Sequence, residues 1–131
     1  PQINLINGKI QEDAQGRLAF VTGRLHLKLR ETTANMLRQR NQVGKPVILG
    51  IRPEHVKLEG LYSETIITGI YKANELMGAD RFIHLDIGQD RLLVARVDPE
   101  NRFAEDEAVK LELDLSKAHF FHADTGVRFE E

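Results

Sequence analysis

The chain has 131 residues, 29% of them charged and 41% hydrophobic, which is close to the average composition of one globular domain. Its 18 Lys and Arg against 20 Asp and Glu leave a formal charge of −2, which argues against broad electrostatic capture of nucleic acid or of an anionic membrane. The lack of cysteine excludes disulfides, thiolate metal sites and thiol nucleophiles. No apolar run reaches the ~20 residues that cross a bilayer, so composition predicts a soluble cytoplasmic domain.

Alternation of apolar and polar residues predicts short β-strands along most of the chain. The clearest run lies between Val109 and Leu115, where Lys110, Glu112 and Asp114 separate the apolar residues. Turn residues such as Asn7-Gly8 and Asp98-Pro99 separate the runs. In chain order the strands are expected at residues 3–12, 18–21, 25–29, 47–51, 65–73, 83–87, 92–97 and 109–115. Short strands with tight turns are typical of a small antiparallel barrel or sandwich.

One segment departs from this alternation. Residues 31–42 have the composition of a helix, with Thr32 or Thr33 available as a cap and Gly44 as a stop. We therefore expect a mainly β fold with one substantial helix near residues 31–42.

No residues are assigned to catalysis, to a cofactor or to a metal. Gly44-Lys45 resembles the end of a phosphate loop, but Pro46 stands where Ser or Thr is required. His119 and His122 are three residues apart, but they lie in a strand pattern and outside any HExxH frame. The chain is therefore expected to be no enzyme by itself.

The segment with the most specific pattern is residues 47–55, Val-Ile-Leu-Gly-Ile-Arg-Pro-Glu-His. It resembles the LGIRPEH signature in the C-terminal regulatory domain of the ATP-binding subunits of maltose-type ABC importers, which transport sugars and glycerol phosphate. Residues 3–8 are similar to the MNFLPG that opens that domain, and residues 75–80 with 83–85 resemble its E-x-L-G-x-E-x-x-x-H element. Residues 94–97 and 119–121 match its later strands.

This resemblance implies one regulatory domain over residues 1–131, made of OB-type barrels with a strand group at 1–59 and a TOBE-like (transport-associated OB) group at 60–131. It also implies that the ATPase domain, with its ATP and Mg²⁺, lies outside this chain, which needs no cofactor itself. The expected role is dimerisation of two ATP-binding subunits, with docking of a cytoplasmic regulatory protein as a further role in some members. The protein would lie on the inner face of the cell membrane through the importer's membrane subunits.

The residues that carry the family motif are interpreted as structural or interface residues. Pro53 favours extended backbone at the residue before it and closes the strand. Arg52 and Glu54 are expected to pair with each other or with neighbouring residues, which would fix the turn. No chemistry is assigned to His55. The full motif set is Gly50, Arg52, Pro53, Glu54, His55 and Gly78.

Two other functions stay open as alternatives: a module that binds a small oxyanion such as molybdate, and an OB-type binder of single-stranded nucleic acid, although no nucleic acid is expected as partner. For the dimer contact, the sequence offers Phe120, Phe121 and Phe129 as apolar residues beyond a small core, and packing of these residues within the chain is an equal alternative. Because the chain begins at Pro1, either an initiator Met was removed or the chain is part of a longer protein.

Overall fold

A computed structural model describes residues 2–58 and 65–130. In these ranges the protein is mainly β, with one α-helix and short 3₁₀ turns, as the sequence predicts. The helix, α1, is Glu31–Gln39. The strands are β1 (Asn4–Glu12), β2 (Leu18–Thr22), β3 (Leu25–Lys28), β4 (Pro46–Ile51), β5 (Val56–Leu58), β6 (Ile66–Met77), β7 (Asp80–Asp86), β8 (Leu93–Val97), β9 (Ala108–Leu113) and β10 (His119–His122).

The strands form two five-stranded sheets, with the orders β10-β4-β1-β2-β3 and β5-β9-β6-β7-β8. The chain divides into two compact units, which we call the helical unit (Leu5–Gly50 with Leu115–Glu131) and the hairpin unit (Pro1–Asn4 with Ile51–Asp114). The boundary expected at residues 59 and 60 lies outside the described residues. The strands nevertheless interleave, since β5 joins the second sheet and β10 returns to the first. That the whole chain acts as one regulatory domain stays a prediction.

In the helical unit, α1 buries Thr33, Ala34, Met36 and Leu37, which form one stripe of a helix. The sheet contributes two fully packed aromatic residues to this core. The ring of Phe20 meets that of Phe120 edge to face, with 6.2 Å between the ring centres. Such an edge-to-face pair adds stabilisation beyond the burial of the two rings.

The helix is shorter than the residues 31–42 expected from the sequence, and no threonine caps it. Arg30 occupies the N-cap position without a side-chain bond, and Thr33 is buried instead. After Gln39 the chain leaves helical geometry, because Asn41 adopts a φ of +58°. Left-handed backbone ends a helix, and Asn tolerates it better than most residues.

In the hairpin unit, the alternation read from the sequence matches the burial of the strands. Val109, Leu111 and Leu113 of β9 are buried, and so are Ile83 and Leu85 of β7. β9 lies between β5 and β6 and is therefore paired on both sides. β6 and β7 form a long hairpin with a bulge after Tyr71.

Within the described residues, no helix is long and apolar enough to span a membrane.

Candidate functional site

The motif at residues 49–55 forms the turn that leads from β4 into β5. Gly50 is buried in β4, and Arg52 has extended backbone with φ −76° and ψ 151°. Pro53 begins a 3₁₀ turn that ends at His55, whose backbone N–H donates to the Arg52 carbonyl at 2.9 Å. The fixed φ of proline suits the first position of such a turn, and Pro53 is itself buried. The extended backbone at Arg52 and the end of β4 before Pro53 agree with the sequence prediction.

A backbone hydrogen bond, rather than a contact between charged side chains, holds the turn against the rest of the unit. The His55 carbonyl accepts a hydrogen bond from the Asp114 N–H at 3.0 Å, just after β9 ends. Arg52 is exposed and Glu54 half-buried, and within residues 2–58 and 65–130 no ion pair joins them. Of the two pairings expected for these side chains, the direct one is thus not what holds the turn.

Gly78 lies on a different element from the rest of the motif set. It is the first of two loop residues between β6 and β7 and has a φ of +64°. Glycine with positive φ at this position is typical of a type II′ hairpin turn, whose twist matches that of the strands. The structure therefore separates the motif set into a partly buried turn after β4 and an exposed hairpin tip.

The tip belongs to a segment that we call the arm, residues 73–80, all of which are exposed. Leu76 is 60% exposed and Met77 49% exposed, so two adjacent apolar residues face solvent on opposite faces of the hairpin. Isolated exposed apolar residues are common on proteins, but an apolar pair on a projecting hairpin often marks an interaction surface.

Polar bonds within the hairpin keep the arm ordered. The Asn74 side chain donates to the Tyr71 hydroxyl and accepts from the Arg81 guanidinium, whose Nε donates to the Pro99 carbonyl at 3.1 Å. Across the strands, His84 Nε2 lies 3.3 Å from Glu75 Oε1. These contacts hold the two strands together although little of the arm is buried.

The base of the arm is fixed at the bulge. Lys72 lies there, and its ammonium is 2.7 Å from Asp106 Oδ1. The hydrogen bond and the negative charge of Asp106 raise the pKa of Lys72, with smaller contributions from the carboxylates of Asp86 and Glu105. Both partners are largely exposed, so this pair orients the base of the arm more than it stabilises the fold.

Sequence reasoning missed the arm, and of the two roles left open for the C-terminal aromatics the structure supports packing within the chain. A signal for the arm was present, because Leu76 and Met77 are adjacent apolar residues before a turn glycine and therefore break the alternation. Phe120 and Phe129 are buried within the helical unit, so they are not free for a dimer contact, and Phe121 is half-buried. Among the described residues, no three His, Asp or Glu side chains are grouped to hold a metal ion.

Comparison with known families and proteins gives consistent matches over nearly the whole chain. Residues 1–56 match the MalK OB fold domain, and residues 49–121 match the TOBE domain. The ABC transporter ATP-binding protein YcjV of Escherichia coli K12 is 32% identical over 127 residues, covering 97% of this chain and 33% of that protein.

Two further relatives carry names that state a transport role. The sulfoquinovosyl glycerol transport ATP-binding protein SmoE of Agrobacterium fabrum is 32% identical over 126 residues, with 95% of this chain and 33% of SmoE covered. The oligosaccharides import ATP-binding protein MsmX of Bacillus subtilis is 30% identical over 133 residues, with 98% of this chain and 34% of MsmX covered. The chain thus spans about a third of the length of the curated relatives it matches.

Among solved structures, the molybdate-bound form of the cytoplasmic molybdate-binding protein ModG has a similar fold. Its TM-score is 0.66 at 18% identity, with 95% of each chain covered. At that identity the likeness concerns the fold alone. Since the TOBE match covers more than half of the chain, the chain belongs to the TOBE domain family, and the relatives that it matches are ABC transporter ATP-binding proteins.

Proposed function

We propose that this chain is the accessory and regulatory part of the ATP-binding subunit of an ABC sugar importer, where it holds two subunits together and performs no catalysis. The observation that carries the proposal is the alignment of nearly the whole chain with about a third of YcjV, SmoE and MsmX. The transport names of SmoE and MsmX favour a sugar or oligosaccharide importer. ATP and Mg²⁺ would bind only in the ATPase domain of the full-length protein.

Such a module acts through proximity. When two regulatory parts associate, each ATPase domain experiences a high effective concentration of the other, so the catalytic pair re-forms readily after it opens. The partners would be a second copy of this chain, its own ATPase domain, the membrane subunits of the importer and, as a further role, a cytoplasmic regulatory protein. The proposed location is the cytoplasmic face of the cell membrane.

Two measurements on the 131-residue chain test the proposal. Sedimentation over a wide range of concentrations should show reversible self-association, and calorimetry with Mg-ATP should show no binding. The sequence motivates the second expectation, because Pro46 follows Gly44-Lys45 at the position where a phosphate loop requires Ser or Thr. A chain that stays monomeric at several hundred micromolar would contradict the dimerisation role, and saturable ATP binding would contradict the accessory role.

The oxyanion alternative is supported by the similarity of fold to molybdate-binding ModG. It predicts that molybdate or sulfate raises the melting temperature as ligand concentration rises, since a ligand that binds only the folded state stabilises it. A melting temperature that does not change with molybdate would exclude it. A nucleic-acid binder would instead show affinity for single strands that falls steeply with salt.

A further inference from the structure

We infer that the self-association surface is the open edge of β6 in the arm, where a second copy of this chain adds its own β6 as an antiparallel strand. The inference rests on the proposed dimerisation and goes beyond it by assigning the surface and the register. It begins from an asymmetry in how β6 is paired. Residues 66–70 of β6 pair with β9 on one side, whereas residues 70–77 pair with β7 on the other.

On the outer edge of β6, Tyr71 is the last residue whose backbone N–H and C=O are hydrogen-bonded to another segment. Its N–H donates to the Glu107 carbonyl at 2.9 Å, and its carbonyl accepts from the Asp106 N–H at 3.0 Å. Beyond Tyr71, within residues 2–58 and 65–130, the only strand that pairs with β6 is β7. The outer edge of the arm is therefore open to another strand.

The ladder geometry identifies which backbone groups face this open edge. Met77 and Asp80 close a two-residue hairpin loop, so they form a hydrogen-bonded pair. Since bonded and non-bonded pairs alternate, Glu75 also bonds to β7, whereas Asn74 and Leu76 direct their N–H and C=O groups outward. The arm thus presents two N–H donors and two carbonyl acceptors, from Asn74 and Leu76, spaced for pairing with an extended strand.

A second copy fits this edge because an antiparallel strand pair has two-fold symmetry, and the same edge is then complementary to itself. In one register Asn74 pairs with Leu76 of the second copy and Leu76 with its Asn74, so all four outward groups of each edge find partners. The symmetry axis then passes between the two Glu75 residues. Ala73 lies opposite Met77 in this register, so part of the exposed apolar surface of the arm becomes covered.

The same register explains why the association should be weak in this chain alone. The two Glu75 carboxylates would lie directly opposite each other, and like charges in that position destabilise a strand pair. Charged residues on open edges also limit unwanted pairing in natural sheets. A contact of about five residues per strand buries less than the ~1,200 Å² of a standard interface, so we expect a stable pair only when further contacts hold the subunits together.

Because the chain has no cysteine, a single introduced thiol reports the register directly. Under mild oxidation Glu75→Cys should form a disulfide-linked dimer, since directly opposed residues lie within the Cα separation that a disulfide spans. The control is Glu100→Cys, which replaces another exposed acidic residue, in the turn after β8. Equal cross-linking of the two variants at the same concentration would overturn the inference.

Two further variants, measured by sedimentation, distinguish pairing through this edge from other modes of self-association. Glu75→Gln should strengthen self-association by about twofold to fivefold, because it removes the opposed charges. Leu76→Lys should weaken self-association by about tenfold, because a lysine on an open edge opposes pairing. If the unaltered chain associates but neither variant changes the affinity, the assignment of the surface to the edge of β6 is wrong and the proposed function stands. If the unaltered chain does not associate at all, the dimerisation role and this inference both fail.

Discussion

The side chain of Asn4 makes with Val94 the two bonds that a neighbouring strand would make. Asn4 Oδ1 accepts from the Val94 N–H at 2.8 Å, and Asn4 Nδ2 donates to the Val94 carbonyl at 2.9 Å. Val94 lies on β8, the outer strand of the second sheet, opposite His84 of β7. In an antiparallel ladder every second residue directs its backbone groups away from the paired strand. The amide of Asn4 therefore satisfies groups that would otherwise face the edge without a partner.

Replacing Asn4 by Ala should lower the free energy of unfolding by about 1–2 kcal/mol, because the half-buried N–H and C=O of Val94 both lose a partner. Asn7→Ala is the matched control, since Asn7 is exposed on the same strand and should change stability by less than ~0.5 kcal/mol. Hydrogen exchange should show faster exchange of the Val94 amide than in the unaltered chain, with that of Ala95 unchanged. Equal effects of the two substitutions would show that this contact is not stabilising.

The Asn4–Val94 contact also shows which features could be predicted from the sequence. Alternation is a property of neighbouring residues, so it located the strands and the buried face of β9. The contact joins residues that are 90 positions apart, and the pairing of β10 with β4 is likewise non-local, so no pattern along the chain revealed either. The turn at Pro53 was predictable because proline acts on its own backbone and on its neighbour's. The open edge of β6 was not, because it depends on where β9 stops pairing.

A second prediction concerns the contact between Gly8 and Phe20 in the helical unit. A Cβ atom on Gly8 would lie 2.6 Å from Cε1 and 2.8 Å from Cε2 of the Phe20 ring, which is fully buried. Gly8→Ala should therefore lower the free energy of unfolding by about 1–3 kcal/mol, the usual cost of overpacking a core. Urea denaturation measures this change.

The clash can be distinguished from a loss of backbone flexibility by a double-mutant cycle. Phe20→Leu shortens the side chain that meets the new methyl group, so Gly8→Ala should cost less in the Phe20→Leu background than alone. Strict additivity of the two substitutions would contradict a direct contact.

The turn between β1 and β2 should depend on pH through Asp13. Its Oδ1 accepts from the Arg17 N–H at 2.8 Å and from the Gln15 N–H at 2.9 Å. The bond from Arg17 is the main cause that lowers the pKa of Asp13 below its ordinary value of 3.8. Because the folded pKa is depressed, the charged group stabilises the turn above that ordinary value, and this stabilisation is lost as pH falls through the folded pKa.

Asp13→Asn keeps an acceptor oxygen but removes the titration. The difference in melting temperature between the unaltered chain and this variant should stay constant above about pH 5 and shrink as the pH falls below about 4. A difference that is independent of pH down to the acid limit would contradict the assignment. Titration of the Asp13 carboxyl by NMR gives the direction of its pKa shift independently.

The final prediction tests the register of β9. Leu113 is fully buried opposite Val56, whereas Lys110 is exposed opposite Thr68. Leu113→Asp should unfold the hairpin unit, because an unpaired carboxylate in an apolar interior costs several kcal/mol. Lys110→Glu reverses a charge on the opposite face and should change the free energy of unfolding by less than ~0.5 kcal/mol. Thermal unfolding followed by circular dichroism measures both, and equal melting temperatures would show that the register is wrong.

The loss of stability caused by Glu112→Lys should fall between those caused by Lys110→Glu and Leu113→Asp in the same experiment. Glu112 lies directly opposite Lys57 of β5, so the substitution would place two lysines across the strand pair. Like charges in that position cost about 0.2–1 kcal/mol, and the cost should shrink as added salt screens the repulsion. A loss of stability as large as that of Leu113→Asp, or one that does not respond to salt, would mean that the side chain of Glu112 contributes through packing instead.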